Sequence, residues 1–166
     1  LLLYVMEPSL EENPHYHKRH HNFIAQSLVA RNVELKQFDT QVHIYKSEVT
    51  EALDSIQANM KVNTLFSMQE TGLNATYARD KAVKKWCESK RIVWKEHINN
   101  GVTRGINNRN SWRKTWTSYM MQPIKSFEAS AASFTAADNI GLAEEVLEPK
   151  KLEGIQAGGT KTGLAY

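Results

Sequence analysis

The stretch Leu1-Leu2-Leu3-Tyr4-Val5-Met6-Glu7-Pro8 decides the fold. Its first six residues are apolar without alternation and are stopped by an acid and a proline. That is the pattern of a strand buried on both faces of a parallel sheet. "SLEENP" (9–14) then reads as a polar loop, and helical spacing runs from 16 to 35 with Phe23, Ile24, Ser27, Leu28 and Val33 as its stripe. "TQVHIYK" (40–46) alternates and is β-branched enough for a second strand. The segment 47–59 is an amphipathic helix, with Ser47 as N-cap and Val49, Leu53 and Ile56 inward.

The alternation continues. "VNTLFSM" (62–68) is a third strand, and 74–90 is a helix with Tyr77, Ala78, Val83 and Trp86 on or near one face. "RIVWKEH" (91–97) is a fourth strand, closed by the turn signal Asn99-Asn100-Gly101. A short helix over 111–121 ends before Pro123, and the stretches 126–139 and 148–163 are poor in large apolar residues and read as linker. Strand and helix in turn specify an α/β class: a Rossmann-like parallel sheet with right-handed crossovers and helices on both faces. The expected division is an α/β domain over 1–122 and a linker over 123–166. Ligands of such sheets sit outside the carboxyl ends of the strands. Here those ends are Glu7-Pro8, Tyr45-Lys46-Ser47, Met68-Gln69-Glu70-Thr71 and Glu96-His97.

A chain of 166 residues is long enough for one sizeable domain. "LLLYV" is far shorter than the roughly 20 residues of a membrane span, and no basic region precedes it, so neither a span nor a signal peptide is expected. The single cysteine, Cys87, excludes an internal disulfide framework and fits a reducing, cytoplasmic setting. Net charge is +3, which permits nucleic-acid contact without arguing for it. The charge is uneven: ten Lys or Arg face two acids between Lys81 and Lys114, among Trp86, Trp94 and Trp112, with Trp116 just beyond. A phosphate-tracking surface has this composition, but so does a solvated helix face over core tryptophans, and the latter is the commoner case.

Four of the six histidines fall in "HYHKRHH" (15–21). Helical spacing could bring His17 and His21, or His17 and His20, to one face. Lys18 and Arg19 oppose a dication there, however, and no carboxylate or thiolate completes a zinc set, so no metal is expected and the cluster reads as a polar helix start. There is no nucleophile elbow and no triad, and a Cys87 on a helical stripe suggests a partly buried, inert thiol.

An ordered series of motifs carries a resemblance. "RHHNFIAQSL" (19–28) resembles the first long helix of the N-terminal domain of the photolyase/cryptochrome family. "VMEPS" (5–9) resembles that family's second strand and following loop. "ETGLNATYARDKAVKKW" (70–86) resembles its Glu-x-Gly segment with an Arg-Asp pair opening a helix. "GVTRGINNRNSWRKTW" (101–116) with the Met-Met-Gln-Pro after it resembles a stretch of some bacterial branches, and "GGTKTGLAY" (158–166) resembles the boundary of the helical flavin domain.

The resemblance implies an antenna-side domain of a deoxyribodipyrimidine photolyase. In such proteins a separate helical domain holds FAD and drives light-dependent splitting of pyrimidine dimers flipped out of DNA. It implies a possible antenna chromophore (folate, deazaflavin, flavin or lumazine), a docking partner in the protein's own C-terminal FAD domain, and damaged DNA as a partner of the full-length protein. FAD itself is expected only in that further domain, and the family's first strand is expected to precede Leu1. No residue here is assigned a catalytic or electron-transfer role. The crevice candidates at strand ends are Glu7, Glu70, Thr71 and Thr76, while Arg79 and Asp80 read as a structural ion pair or cap. A cryptochrome-type photoreceptor domain, which shares the architecture but signals through a partner, is one alternative. An unrelated nucleotide-binding α/β protein is the other alternative, disfavoured because no Gly-rich loop joins a strand to a helix.

Overall fold

A computed structural model describes residues 1–123, 134 and 147–165. It divides into two compact units, one of Leu1–Met60 with Ala129–Tyr166 and one of Lys61–Glu128. The class is α/β with parallel strands, as the alternation of elements requires. Strand pairing differs from the single sheet expected: β1 (Leu2–Met6) pairs with β2 (Val42–Lys46), and β3 (Thr64–Met68) with β4 (Val93–His97), as two two-stranded parallel sheets. Apolar patterning marks a strand but says nothing about its non-local partner, so the division was invisible in the sequence.

In the first unit, Pro8 at the first helical position starts the single turn α1 (Pro8–Glu11) inside the expected loop. The long helix α2 (Lys18–Leu35) runs into a 3-10 turn at Lys36–Phe38, which Asp39 ends with φ +52°. The inward stripe of α2 differs from expectation. Ala25 and Leu35 are buried, whereas Phe23 and Val33 are exposed, because the small Ala25 lets the helix pack closely on that side. Asn32 on α2 both accepts from the Val42 N–H and donates to its carbonyl, at 2.7 and 3.1 Å, and so satisfies the first peptide of β2. Helix α3 (Val49–Asn59) buries Ala52, Leu53 and Ile56 as its spacing predicts. Its N-cap is Glu48 rather than Ser47, and the Glu48 N–H donates to the Glu51 carboxylate at 3.3 Å.

The segment 147–165 has fixed partners in this unit. Asn22 of α2 donates to the Lys150 carbonyl and accepts its N–H, at 2.8 and 2.7 Å, and Gln26 accepts from Gly158 N–H at 2.7 Å. A short helix, α6 (Thr160–Leu164), follows. Most of the expected linker over 126–139 lies outside the described residues.

In the second unit, α4 (Asn74–Lys90) connects β3 to β4 and ends at Arg91, whose φ of +58° closes the helix. Its inward face is Asp80, Val83, Trp86 and Cys87. Tyr77 and Ala78, expected near that face, are exposed. Cys87 is 2% exposed, and burial followed by the neighbouring Glu88 pushes its thiol up, which leaves it protonated and unreactive at neutral pH. Helix α5 (Trp112–Met120) seats Trp116 and Tyr119 on the preceding turn, donating to the carbonyls of Asn100 and Ile98 at 3.2 and 2.5 Å. Gly101, at φ +69°, has no room for a side chain beneath those rings.

Candidate functional site

A cleft lies at the carboxyl end of the first strand of each unit. In the first unit, Tyr4, Glu7, Glu11, Tyr16 and His21 line a small cavity with an apolar wall that includes Ile24 and Leu28. Its volume is about 80 Å³. At about 30 Å³ per water it would take two or three waters, well short of a ring-sized ligand. Glu7 is 5% exposed at the strand end, where its carbonyl accepts the N–H groups of Leu10 and Glu11 at 3.0 and 3.1 Å. Glu11 holds His21 at 3.2 Å and Lys46 at 3.7 Å.

Burial, reinforced by Tyr16, Glu11 and Glu7, pushes the Tyr4 phenol up to about 12. The folded state therefore keeps a proton that the unfolded chain loses near pH 10. Stability from this group is whole below about pH 10 and falls as pH rises towards about 12. Urea midpoints across that window should decline less steeply for Tyr4→Phe than for the parent. Equal slopes would remove Tyr4 from this role.

In the second unit, Glu70, Thr71, Gly72, Leu73, Asn74, Tyr77, Arg104 and Gly105 line an open cleft of about 340 Å³. Glu70 and Thr71 are thus brought together. Thr76 does not line the cleft, and its hydroxyl donates to the Leu73 carbonyl at 2.7 Å within its own helical turn. One Glu70 oxygen accepts the N–H groups of Thr71 and Gly72 at 2.8 and 2.6 Å, and the other lies 3.9 Å from Arg79. The Thr71 hydroxyl accepts from Asn100 at 2.9 Å and keeps its own O–H to donate. Tyr77 is 49% exposed with Lys81 4.4 Å over its ring, a cation–π contact beside the cleft.

Behind the cleft stands a residue that sequence reasoning missed. Arg104 donates to Asp80 at 2.7 Å, to Glu96 at 2.9 Å and to the Glu70 carbonyl at 2.6 Å. Partial burial pulls its guanidinium down, but the bonds and charges of Asp80 and Glu96 outweigh this and hold it above the ordinary arginine value. Arg79 holds the other Asp80 oxygen at 2.9 Å, so the Arg79-Asp80 pair is structural. Nothing local marks Arg104, which sits in an Asn- and Gly-rich loop. Its only advance signal was the excess of cations around it.

The histidine cluster forms a helix start. His17 is the N-cap of α2, accepting from Arg19 N–H at 3.2 Å, and its own N–H donates to the His20 ring at 3.3 Å. Among the described residues, no group of three or more His, Cys, Asp or Glu side chains is placed to hold a metal ion. None of the described helices is long and apolar enough to cross a membrane. The basic tryptophan-rich segment divides. Trp86 is buried and Trp94 is half-buried, donating to the Ser67 hydroxyl at 3.0 Å, while Trp112 and Trp116 remain 40% and 36% exposed.

No protein-family model matches the sequence, and no curated protein matches it. Among solved structures, an archaeal photolyase from Sulfolobus tokodaii, with two FAD molecules and an implied novel light-harvesting cofactor, matches with a TM-score of 0.56 at 19% identity. The match covers 75% of this chain and 29% of that one, so the chain spans under a third of the photolyase's length. At that identity the likeness concerns the fold: the chain has a photolyase-like α/β fold.

Proposed function

We propose that this chain is the antenna-side α/β domain of a DNA photolyase, which supports light-driven repair of pyrimidine dimers once joined to a helical FAD domain. The observation that carries the reading is the fold shared with a photolyase that holds two FAD molecules. A second flavin in that protein favours a flavin-type antenna here over the folate, deazaflavin and lumazine alternatives. Of the two clefts, that of Glu70 and Thr71 is the one within the roughly 300–1,000 Å³ range of ligand sites. Its residues suit a flat, hydrogen-bonding ring: Tyr77 offers an aromatic face and Thr71 a hydroxyl donor. When bound, the chromophore would absorb light and pass the excitation to FAD. Glu70 organises the loop by capping two of its N–H groups, and Arg104 fixes that loop from behind.

The test is the visible absorption and fluorescence of the 166-residue protein titrated with each chromophore class. The expected result is saturable quenching of one flavin, weakened at least about tenfold in Glu70→Gln, since an oxygen that accepts two N–H groups is lost as a charged acceptor. A folded protein that binds none of the four chromophores would sink the antenna role.

A further inference from the structure

The photolyase reading places DNA on the helical FAD domain and leaves α5 of the second unit without a task. Three features of that region stand out. From Ile98 to Pro123 there are four cations, Arg104, Arg109, Arg113 and Lys114, and no acid. All but Arg104, which is held by Asp80 and Glu96, are exposed. The indole rings of Trp112 and Trp116 stack at 6.2 Å with an interplanar angle of 25° and remain 40% and 36% exposed. Arg113 and Trp116 are three residues apart on the helix and therefore neighbours on its surface.

Large aromatic rings held partly in water beside exposed cations are poorly explained by packing alone. The Trp116 ring is fixed through its N–H to Asn100, and Trp112 is ordered against it, so the outer ring surface is preorganised. Preorganised rings beside a phosphate-attracting charge are the components of a platform for unpaired bases, because every base has a face to stack and every phosphate a charge to neutralise. We infer that α5 with Arg109 forms a binding surface for single-stranded nucleic acid: Trp112 stacks a base, and Arg109 and Arg113 track the adjoining phosphates.

The probe is a fluorescein-labelled single-stranded oligothymidylate, followed by anisotropy and by quenching of tryptophan emission. Two neutralised phosphates on a single strand predict a salt slope near −1.4, so affinity should fall about sevenfold between about 50 and about 200 mM salt. Trp112→Ala should weaken binding about tenfold and remove most of the quenching. The double variant Arg109→Glu/Arg113→Glu keeps both rings and touches no core residue, so it tests the charges without risking the fold, and it should abolish binding. Circular dichroism and the emission of buried Trp86 check that each variant is folded. Failure to bind the oligonucleotide would overturn the inference. Binding that Trp112→Ala leaves unchanged, or a duplex of equal length bound as tightly as the single strand, would also overturn it.

Discussion

Arg104→Met should lower the thermal midpoint of the second unit by about 10 °C. Arg104 joins Asp80, Glu96 and the Glu70 carbonyl, tying α4, β4 and the end of β3 to the loop after β4. Removing one partner of a buried ion pair costs about 3–5 kcal/mol, because the remaining charge is stranded. The Arg104 side chain is 28% exposed, so screening brings the expected cost to about 2 kcal/mol, and each kcal/mol moves a domain of this size by about 4–8 °C. All four tryptophans lie in this unit, so tryptophan fluorescence reports its unfolding selectively. Arg79→Met should cost less, since Arg104 still holds Asp80. If the two variants proved equal, Arg104 would not be the hub.

Gly158→Ala is the second large effect, and it should be local. A Cβ at Gly158 would fall against the Phe23 carbonyl and the Ser27 N–H, both main-chain atoms of α2 that cannot swing away. Overpacking of this kind costs about 1–3 kcal/mol, and about 2 kcal/mol corresponds to a roughly thirtyfold rise in the open population. Limited proteolysis of 147–165 should accelerate by about that factor, while the urea midpoint of the second unit stays unchanged. Unaltered proteolysis would mean that the close contact at Gly158 is not what seats the segment.

Local pattern carried the elements but not their partners. Helix α4 was legible from its punctuation, and β1 from its unbroken apolar run. The α2 stripe was misread because a large residue such as Phe23 was weighted above a small one such as Ala25, and close packing reversed that order. The single turn α1 is too short to show a period, and α6 lies in a stretch whose order depends on the amides of Asn22 and Gln26, far away in sequence. At the candidate site, Glu70 and Thr71 were legible because strand ends define clefts in this class. Arg104 was not, because its value lies in three partners that stand 8, 24 and 34 residues before it. The Tyr4–Tyr16 cavity was hidden for a similar reason, since each ring alone reads as ordinary strand or helix-entry hydrophobicity.

The division into two parallel ladders bears on how the chain reaches its native state. A parallel pair cannot close through a tight hairpin, and here β1 meets β2 across about 40 residues and β3 meets β4 across about 30. Loop-closure entropy grows only logarithmically, so these two searches differ by about 0.3 kcal/mol and neither ladder starts with a real advantage. The order in which they form then rests on α2 and α4, which shorten the distance each search must cover. A proline in the middle of α4 should delay closure of the second ladder and leave the rate of the first unchanged, giving two refolding phases in place of one.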